Sequence, residues 1–214
     1  MEMGKRIVFI GDSITDSGRR EDPDQIGTGY VRIIHDYLKV TYPTKQLNIL
    51  NRGIGGDRVT DLASRWNEDV IALNPTIVSI SIGINDVWRQ VDRPEIDQVY
   101  PVQFEQVYAK LLEQIKAKTN ARIILMEPTL IQEDIHSEGN VKLIPYVAII
   151  HRLAEKYQAV VVPTHEVFIN YIKSNRNYKL TTDGVHMNTA GNMLMAKTWL
   201  DTTVPLWVEI MPRQ

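Results

Sequence analysis

The order of apolar runs constrains this chain more than any other feature. Short runs dense in β-branched residues recur along it, and between them lie longer segments whose apolar residues return at helical spacing. Lys5 to Ile10, Gln46 to Asn51, Thr76 to Ile82, Arg122 to Met126 and Ala159 to Val162 read as five strands. Tyr30, Ile33, Ile34, Tyr37 and Leu38 share one helix face. So do Val59, Leu62, Ala63, Trp66, Val70 and Ile71, with Asp57 or Thr60 as the cap of that second helix. Pro101 to Thr119 sets Phe104, Val107, Tyr108, Leu111, Leu112 and Ile115 against a Lys- and Glu-rich face. A helix around Tyr146 to Tyr157 and a last one over Thr189 to Leu200 complete the series. Strands alternating with helices of this length pair in parallel, since a parallel neighbour is reached only through a crossover. Near-continuous apolar strands further require both sheet faces to be covered. The predicted architecture is α/β: a three-layer α/β/α sandwich around a central parallel sheet.

At 214 residues with 43% hydrophobic content, the chain suits a single domain over residues 1–214, and no repeat or linker divides it. Its net charge of -2 leaves no basic surface for nucleic acid. Cysteine is absent, which excludes disulfides, thiolate metal sites and a cysteine nucleophile. The run Ile7-Val8-Phe9-Ile10 falls short of the ~7–15 apolar residues of a signal-peptide core. No segment reaches the ~18 apolar residues of a membrane span. A cytoplasmic protein without a membrane span is the expectation. Beyond His186, the histidines are His35 and His151 in helices, His136 in a polar loop and His165 after a strand; their spacing matches no metal motif. No glycine-rich nucleotide loop occurs, so neither metal nor organic cofactor is expected. Two polar insertions stand out, Gln132 to Asn140 and Asn175 to Asp183.

In an open parallel sheet, ligands bind beyond the carboxyl ends of the strands. Gly11-Asp12-Ser13 follows the first strand, Asn51 to Asp57 (NRGIGGD) the second and Gly83 to Gln90 (GINDVWRQ) the third; Asp183 to Asn188 (DGVHMN) precedes the last helix. A serine hydroxyl becomes nucleophilic when a base takes its proton, and histidine suits that task near neutrality. The histidine in turn needs a carboxylate to fix its tautomer and stabilise its charged form. Asp183 and His186, three apart across a turn, can supply that pair to Ser13. An attacked ester carbonyl becomes an oxyanion and needs donors already in place, each worth ~10²–10³ in rate. The Ser13 N–H, a glycine N–H from the second block and the Asn85 amide are suitable.

These four blocks resemble those of the SGNH, or GDSL-type, esterase and lipase family, with GDSIT, NRGIGGD, GIND and DGVH in order from Gly11 to Asn188. The resemblance implies a flavodoxin-like sandwich and metal-free ester hydrolysis through a serine acyl-enzyme. It makes Ser13 the nucleophile, His186 the general base and Asp183 its partner, with an oxyanion hole from the Ser13 N–H, the Gly56 N–H and the Asn85 side chain. Among Gly53, Gly55 and Gly56, the family's donor closes the block, which selects Gly56. Thr15 stands where the G-x-S-x-G elbow of α/β-hydrolases needs glycine, which argues against that fold.

The flanking segments IGTGYV (Ile26 to Val31), Gly53 to Trp66 and Ile82 to Gln90 are similar to those of intracellular acetylxylan and xylo-oligosaccharide esterases. That likeness implies an O-acetyl group on a short sugar as substrate. The same catalytic residues also serve lysophospholipases and thioesterases, whose acyl chains are longer. The acetylxylan esterases commonly carry tryptophan before the triad aspartate, whereas Thr182 stands here. Trp88 is the candidate platform for a pyranose ring, its alternative being packing under the loop. Arg58 and Arg89 are candidate donors to sugar hydroxyls, unless each pairs with a nearby acid. The apolar segment Trp207 to Met211 can cover either the core or a neighbouring subunit, which leaves room for a homo-oligomer.

Overall fold

In the computed structural model, residues 5–174 and 177–210 are described, with side chains through 207. Asn175 of the second polar insertion and Met211 of the C-terminal segment lie outside them. Five strands, β1 (Lys5–Gly11), β2 (Leu47–Gly53), β3 (Ile77–Ser81), β4 (Arg122–Met126) and β5 (Val160–Val162), form one sheet in the order β2-β1-β3-β4-β5. Every pairing is parallel. The order reverses at β1, with β2 on one side and β3 on the other, which creates the crevice between the carboxyl ends of β1 and β3. Ile7, Val8, Phe9 and Ile10 are fully buried because helices cover both faces.

The eight helices among the described residues are α1 (Ser13–Asp16), α2 (Tyr30–Thr41), α3 (Val59–Trp66), α4 (Ile84–Asp92), α5 (Pro101–Lys118), α6 (Glu138–Tyr157), α7 (Thr164–Ser174) and α8 (Thr189–Ile210). From β1, Phe9 packs against Tyr30 of α2 and Trp199 of α8. The Trp199 indole N–H donates to Ser79 Oγ at 3.0 Å, which explains a serine in the middle of the buried β3. Trp66, buried as its helical spacing implies, donates from α3 to the Leu111 carbonyl of α5.

Several boundaries depart from the pattern in the sequence. The cap of α3 is Arg58 rather than Asp57 or Thr60, because Asp61 returns a carboxylate to the Arg58 N–H at 2.8 Å and Asp86 accepts from Val59 N. A π turn, Asn67–Ile71, then extends α3 over the remaining apolar positions. The helix expected around Tyr146 to Tyr157 begins eight residues earlier, at Glu138, where Ser137 caps the Asn140 N–H, and it takes Pro145 in its interior. The last helix runs ten residues past Leu200 and takes Pro205 in its interior. There the Thr198, Thr202 and Thr203 hydroxyls each bond the carbonyl four residues back. Trp207, on this extension, packs on Trp199 and Tyr42 and so covers the chain's own core. The GINDVWRQ segment is mostly helix, α4, and α7 has no counterpart among the sequence expectations. No helix among the described residues is long and apolar enough to cross a membrane.

Candidate active site

Strand β1 ends because Asp12 turns the chain into α1: its buried carboxylate caps the Ile14 N–H at 3.0 Å. Ser13 thereby occupies the first position of a short helix at the reversal point of the sheet. Its hydroxyl lies 2.9 Å from His186 Nε2, and His186 Nδ1 lies 2.6 Å from Asp183 Oδ2. The other Asp183 oxygen accepts from the N–H groups of Val185 and His186, at 2.9 and 2.7 Å. Partial burial alone would raise the Asp183 carboxyl. Hydrogen bonds from His186 and the two backbone N–H groups outweigh it and hold that carboxyl down at about 2. Asp183 is thus a permanent anion beside the imidazole across the neutral pH range. This arrangement fixes the tautomer with the Nδ1 proton toward Asp183 and leaves Nε2 free to accept from Ser13.

The three glycines of the second block do different work. At Gly53 a Cβ would sit 2.2 Å from the Asp16 N, so α1 can cross β2 only over a glycine. Ile54 to Asp57 form a turn closed by the Asp57 N–H on the Ile54 carbonyl, and Gly56 takes its third position at φ +86°. A Cβ at Gly55 would touch that of Ser13 at 3.8 Å. The buried Asn85 amide donates to the Asp57 carbonyl at 3.0 Å, which ties the glycine turn to the start of α4. Gly56 and Asn85 are therefore held together, one residue apart through Asp57.

Trp88 is half-buried and stands edge-on to the His186 ring, with centroids 5.9 Å apart. The Arg89 guanidinium stacks on the Trp88 ring at 4.9 Å and also pairs with Asp92 at 2.5 Å. Arg58 donates to the Asp97 carbonyl at 2.7 Å, with Asp61 3.6 Å away. Both arginines thus already hold intramolecular partners. Among the described residues, no three His, Asp or Glu side chains converge as metal ligands would.

Further residues support this site without a signal of their own in the sequence. Buried Asn51 donates to the Thr15 and Ile26 carbonyls and accepts from the Gly53 N–H. Arg65 joins the Gly11 carbonyl, the Arg52 carbonyl, Asp57 and Asp69. Burial pushes the Asp12 carboxyl up to about 7 and that of Asp86 up to about 8. A spacing argument could have flagged only the Arg65–Asp69 pair, four apart on a helix.

A serine, histidine and carboxylate in series at the carboxyl edge of a parallel sheet is the arrangement of a serine hydrolase. The profile of the GDSL-like lipase/acylhydrolase family matches residues 9–194, and the chain belongs to that family. It is a carboxylic ester hydrolase. Over 212 residues it is 36% identical to an acetylxylan esterase of Geobacillus stearothermophilus, with 96% of each chain covered. The crystal structure of Axe2, an acetylxylan esterase from that organism, superposes with a TM-score of 0.87 at 36% identity, over 95% of this chain and 97% of that one. Catalytic mutants of Axe2 that replace an aspartate, a serine and a histidine by alanine superpose equally well. LAE5, an alpha/beta hydrolase enzyme from the metagenome of Lake Arreo, Spain, is 32% identical with a TM-score of 0.87, over 94% and 95% of the two chains.

Proposed function

We propose that residues 1–214 act as a single hydrolase domain that removes O-acetyl groups from xylo-oligosaccharides or related short sugars. The observation that carries the mechanism is the unbroken series Ser13 Oγ, His186, Asp183. Similarity to an acetylxylan esterase over nearly the whole of both chains supports the substrate class. As Ser13 Oγ attacks the acetyl carbonyl, His186 Nε2 takes its proton, and the imidazolium is stabilised by the Asp183 carboxylate. The oxyanion is met by the N–H groups of Ser13 and Gly56 and by the second hydrogen of the Asn85 amide. His186 then returns the proton to the departing sugar oxygen, which leaves an acetyl ester on Ser13. Water attacks that ester with the same base, and acetate is released. Trp88 offers its ring to the sugar, while Arg58 and Arg89 border the site and donate to hydroxyls once substrate competes for them. Following the intracellular members it resembles, we assign the reaction to the cytoplasm.

The test is acetate release from acetylated xylo-oligosaccharides by the wild type and by Ser13→Ala. Wild-type release with a loss on the order of 10⁶-fold in the variant is the expected result. Substantial release by a clean Ser13→Ala preparation would overturn the nucleophile. If p-nitrophenyl acetate is cleaved and the sugars are not, the esterase stands and the sugar assignment falls.

A further inference from the structure

The polar insertion that follows β4 lies far along the chain from the catalytic residues, yet it grips the segment that carries two of them. Residues 180–188 form a tight hairpin. Thr181 bridges Met187 in antiparallel fashion, the Thr182 N–H bonds the His186 carbonyl at 2.8 Å, and the Asn188 N–H bonds the Leu180 carbonyl at 2.9 Å. Asp183 and His186 occupy its tip. A single oxygen of Glu133, Oε1, accepts three hydrogen bonds from the incoming arm: Leu180 N at 2.9 Å, Thr181 N at 2.8 Å and Thr181 Oγ1 at 2.5 Å. The preceding residue grips the tip itself, for the Gln132 N–H donates to the Gly184 carbonyl at 2.7 Å.

This grip is built at some conformational expense. Gln132 is held at φ +66°, a left-handed conformation that a side chain with a Cβ adopts only when its surroundings demand it. Gly184 opposite it stands at φ +93°, and a Cβ there would lie 3.4 Å from Gln132 Cα. The insertion is itself cross-linked by hydrogen bonds. The buried Asn140 side chain accepts from Ile131 N and donates to the carbonyls of Gln132 and Asp134. The Ser137 hydroxyl donates to the Ile131 carbonyl at 2.6 Å. A continuous hydrogen-bonded path therefore runs from the N-terminus of α6, through Asn140 and Gln132-Glu133, to the hairpin.

We propose that Glu133, seconded by the backbone of Gln132, is a positioning residue for the reaction: it clasps the hairpin so that Asp183 and His186 keep register with Ser13. The proposal rests on the catalytic roles given above. Its physical warrant is that reacting groups displaced by about 1 Å lose on the order of 10² in rate without losing substrate affinity. Loosening the hairpin would also weaken the Asp183 carboxylate's hold on His186.

The experiment compares kcat and KM for p-nitrophenyl acetate in the wild type, Glu133→Ala, Glu133→Gln, Thr181→Val and Ser13→Ala. In Glu133→Ala, kcat should fall on the order of 10²-fold with KM unchanged. Glu133→Gln keeps an acceptor oxygen and should recover to within about tenfold of wild type. Thr181→Val removes one of the three bonds and should lie between; it decides the matter if Glu133→Ala does not fold. A folded Glu133→Ala or Thr181→Val with wild-type kcat overturns the clasp while Ser13→Ala remains inactive, and so does a fall in Glu133→Ala that Glu133→Gln does not recover. An active Ser13→Ala instead overturns the catalytic reading, and the clasp falls with it.

Discussion

Replacing Asn51 by alanine should cost about 3–5 kcal/mol of folding stability, and the figure follows from what the side chain leaves behind. Its amide donates to the Thr15 carbonyl at 2.6 Å and to the Ile26 carbonyl at 2.8 Å, while its oxygen accepts from the Gly53 N–H at 2.8 Å. All three bonds are buried. Each backbone group stranded away from water costs ~1–3 kcal/mol, and local relaxation recovers part of the sum. Since a single domain holds only ~5–15 kcal/mol, the loss is large. It corresponds to a fall in Tm of roughly 6–20 °C for a chain of this size. Urea unfolding followed by tryptophan fluorescence gives the stability directly, with an unchanged m-value as the check on two-state behaviour. Asn51→Asp sharpens the test, because it keeps the volume and the acceptor for Gly53 but turns a carboxylate oxygen toward two carbonyl oxygens. It should be at least as destabilising as alanine. A near-wild-type Asn51→Asp, or a loss below about 1 kcal/mol in Asn51→Ala, would refute the reasoning.

Two other expectations follow from the site. Burial raises the Asp86 carboxyl to about 8 from an unfolded value of 3.8, so between those pH values the folded chain holds a proton that the unfolded chain has released. Stability should therefore fall as pH rises through that window, at up to about 1.4 kcal/mol per unit. Asp86→Asn keeps an oxygen for the Val59 N–H and should show a shallower decline in Tm from pH 5 to pH 8; parallel curves would count against the buried carboxyl. Trp88→Ala should raise KM for acetylated xylo-oligosaccharides about tenfold, the worth of one aromatic face at ~1–2 kcal/mol, while p-nitrophenyl acetate is turned over within a few-fold of wild type. Equal effects on the two substrates would show that Trp88 serves the His186 ring and not the sugar.

What could be read from the chain alone was whatever depends on local period or on a short motif. The five strands lie within about two residues of their apolar runs, since a doubly covered strand must be apolar along its length. Ser13, Asp183 and His186 could be singled out because their chemistry needs particular residue types beyond strand ends. Helix α4 was hidden because Gly83, at φ +123°, reads as a loop, and the start of α6 because its first residues belong to the polar insertion Gln132 to Asn140, which reads as a loop. The support for the site was less visible still. Glu133 meets Thr181 across 48 positions and Arg65 meets Gly11 across 54, with no periodicity that could announce either contact. Buried polar residues are placed by tertiary neighbours, and their partners are mostly backbone groups that every residue possesses.

The 2.9 Å contact between Ser13 and His186 joins positions 173 residues apart. On a ribosome adding ~5–20 residues per second, roughly 10–35 s separate the synthesis of the proposed nucleophile from that of its base. During that interval the first strands, the glycine turn and the asparagine helix can all assemble, yet no ester can be cleaved. On the proposed roles, hydrolytic activity thus reports that the hairpin carrying His186 has docked. In a refolding experiment, acetate release would time the docking of the hairpin against the edge of the sheet on which the serine stands.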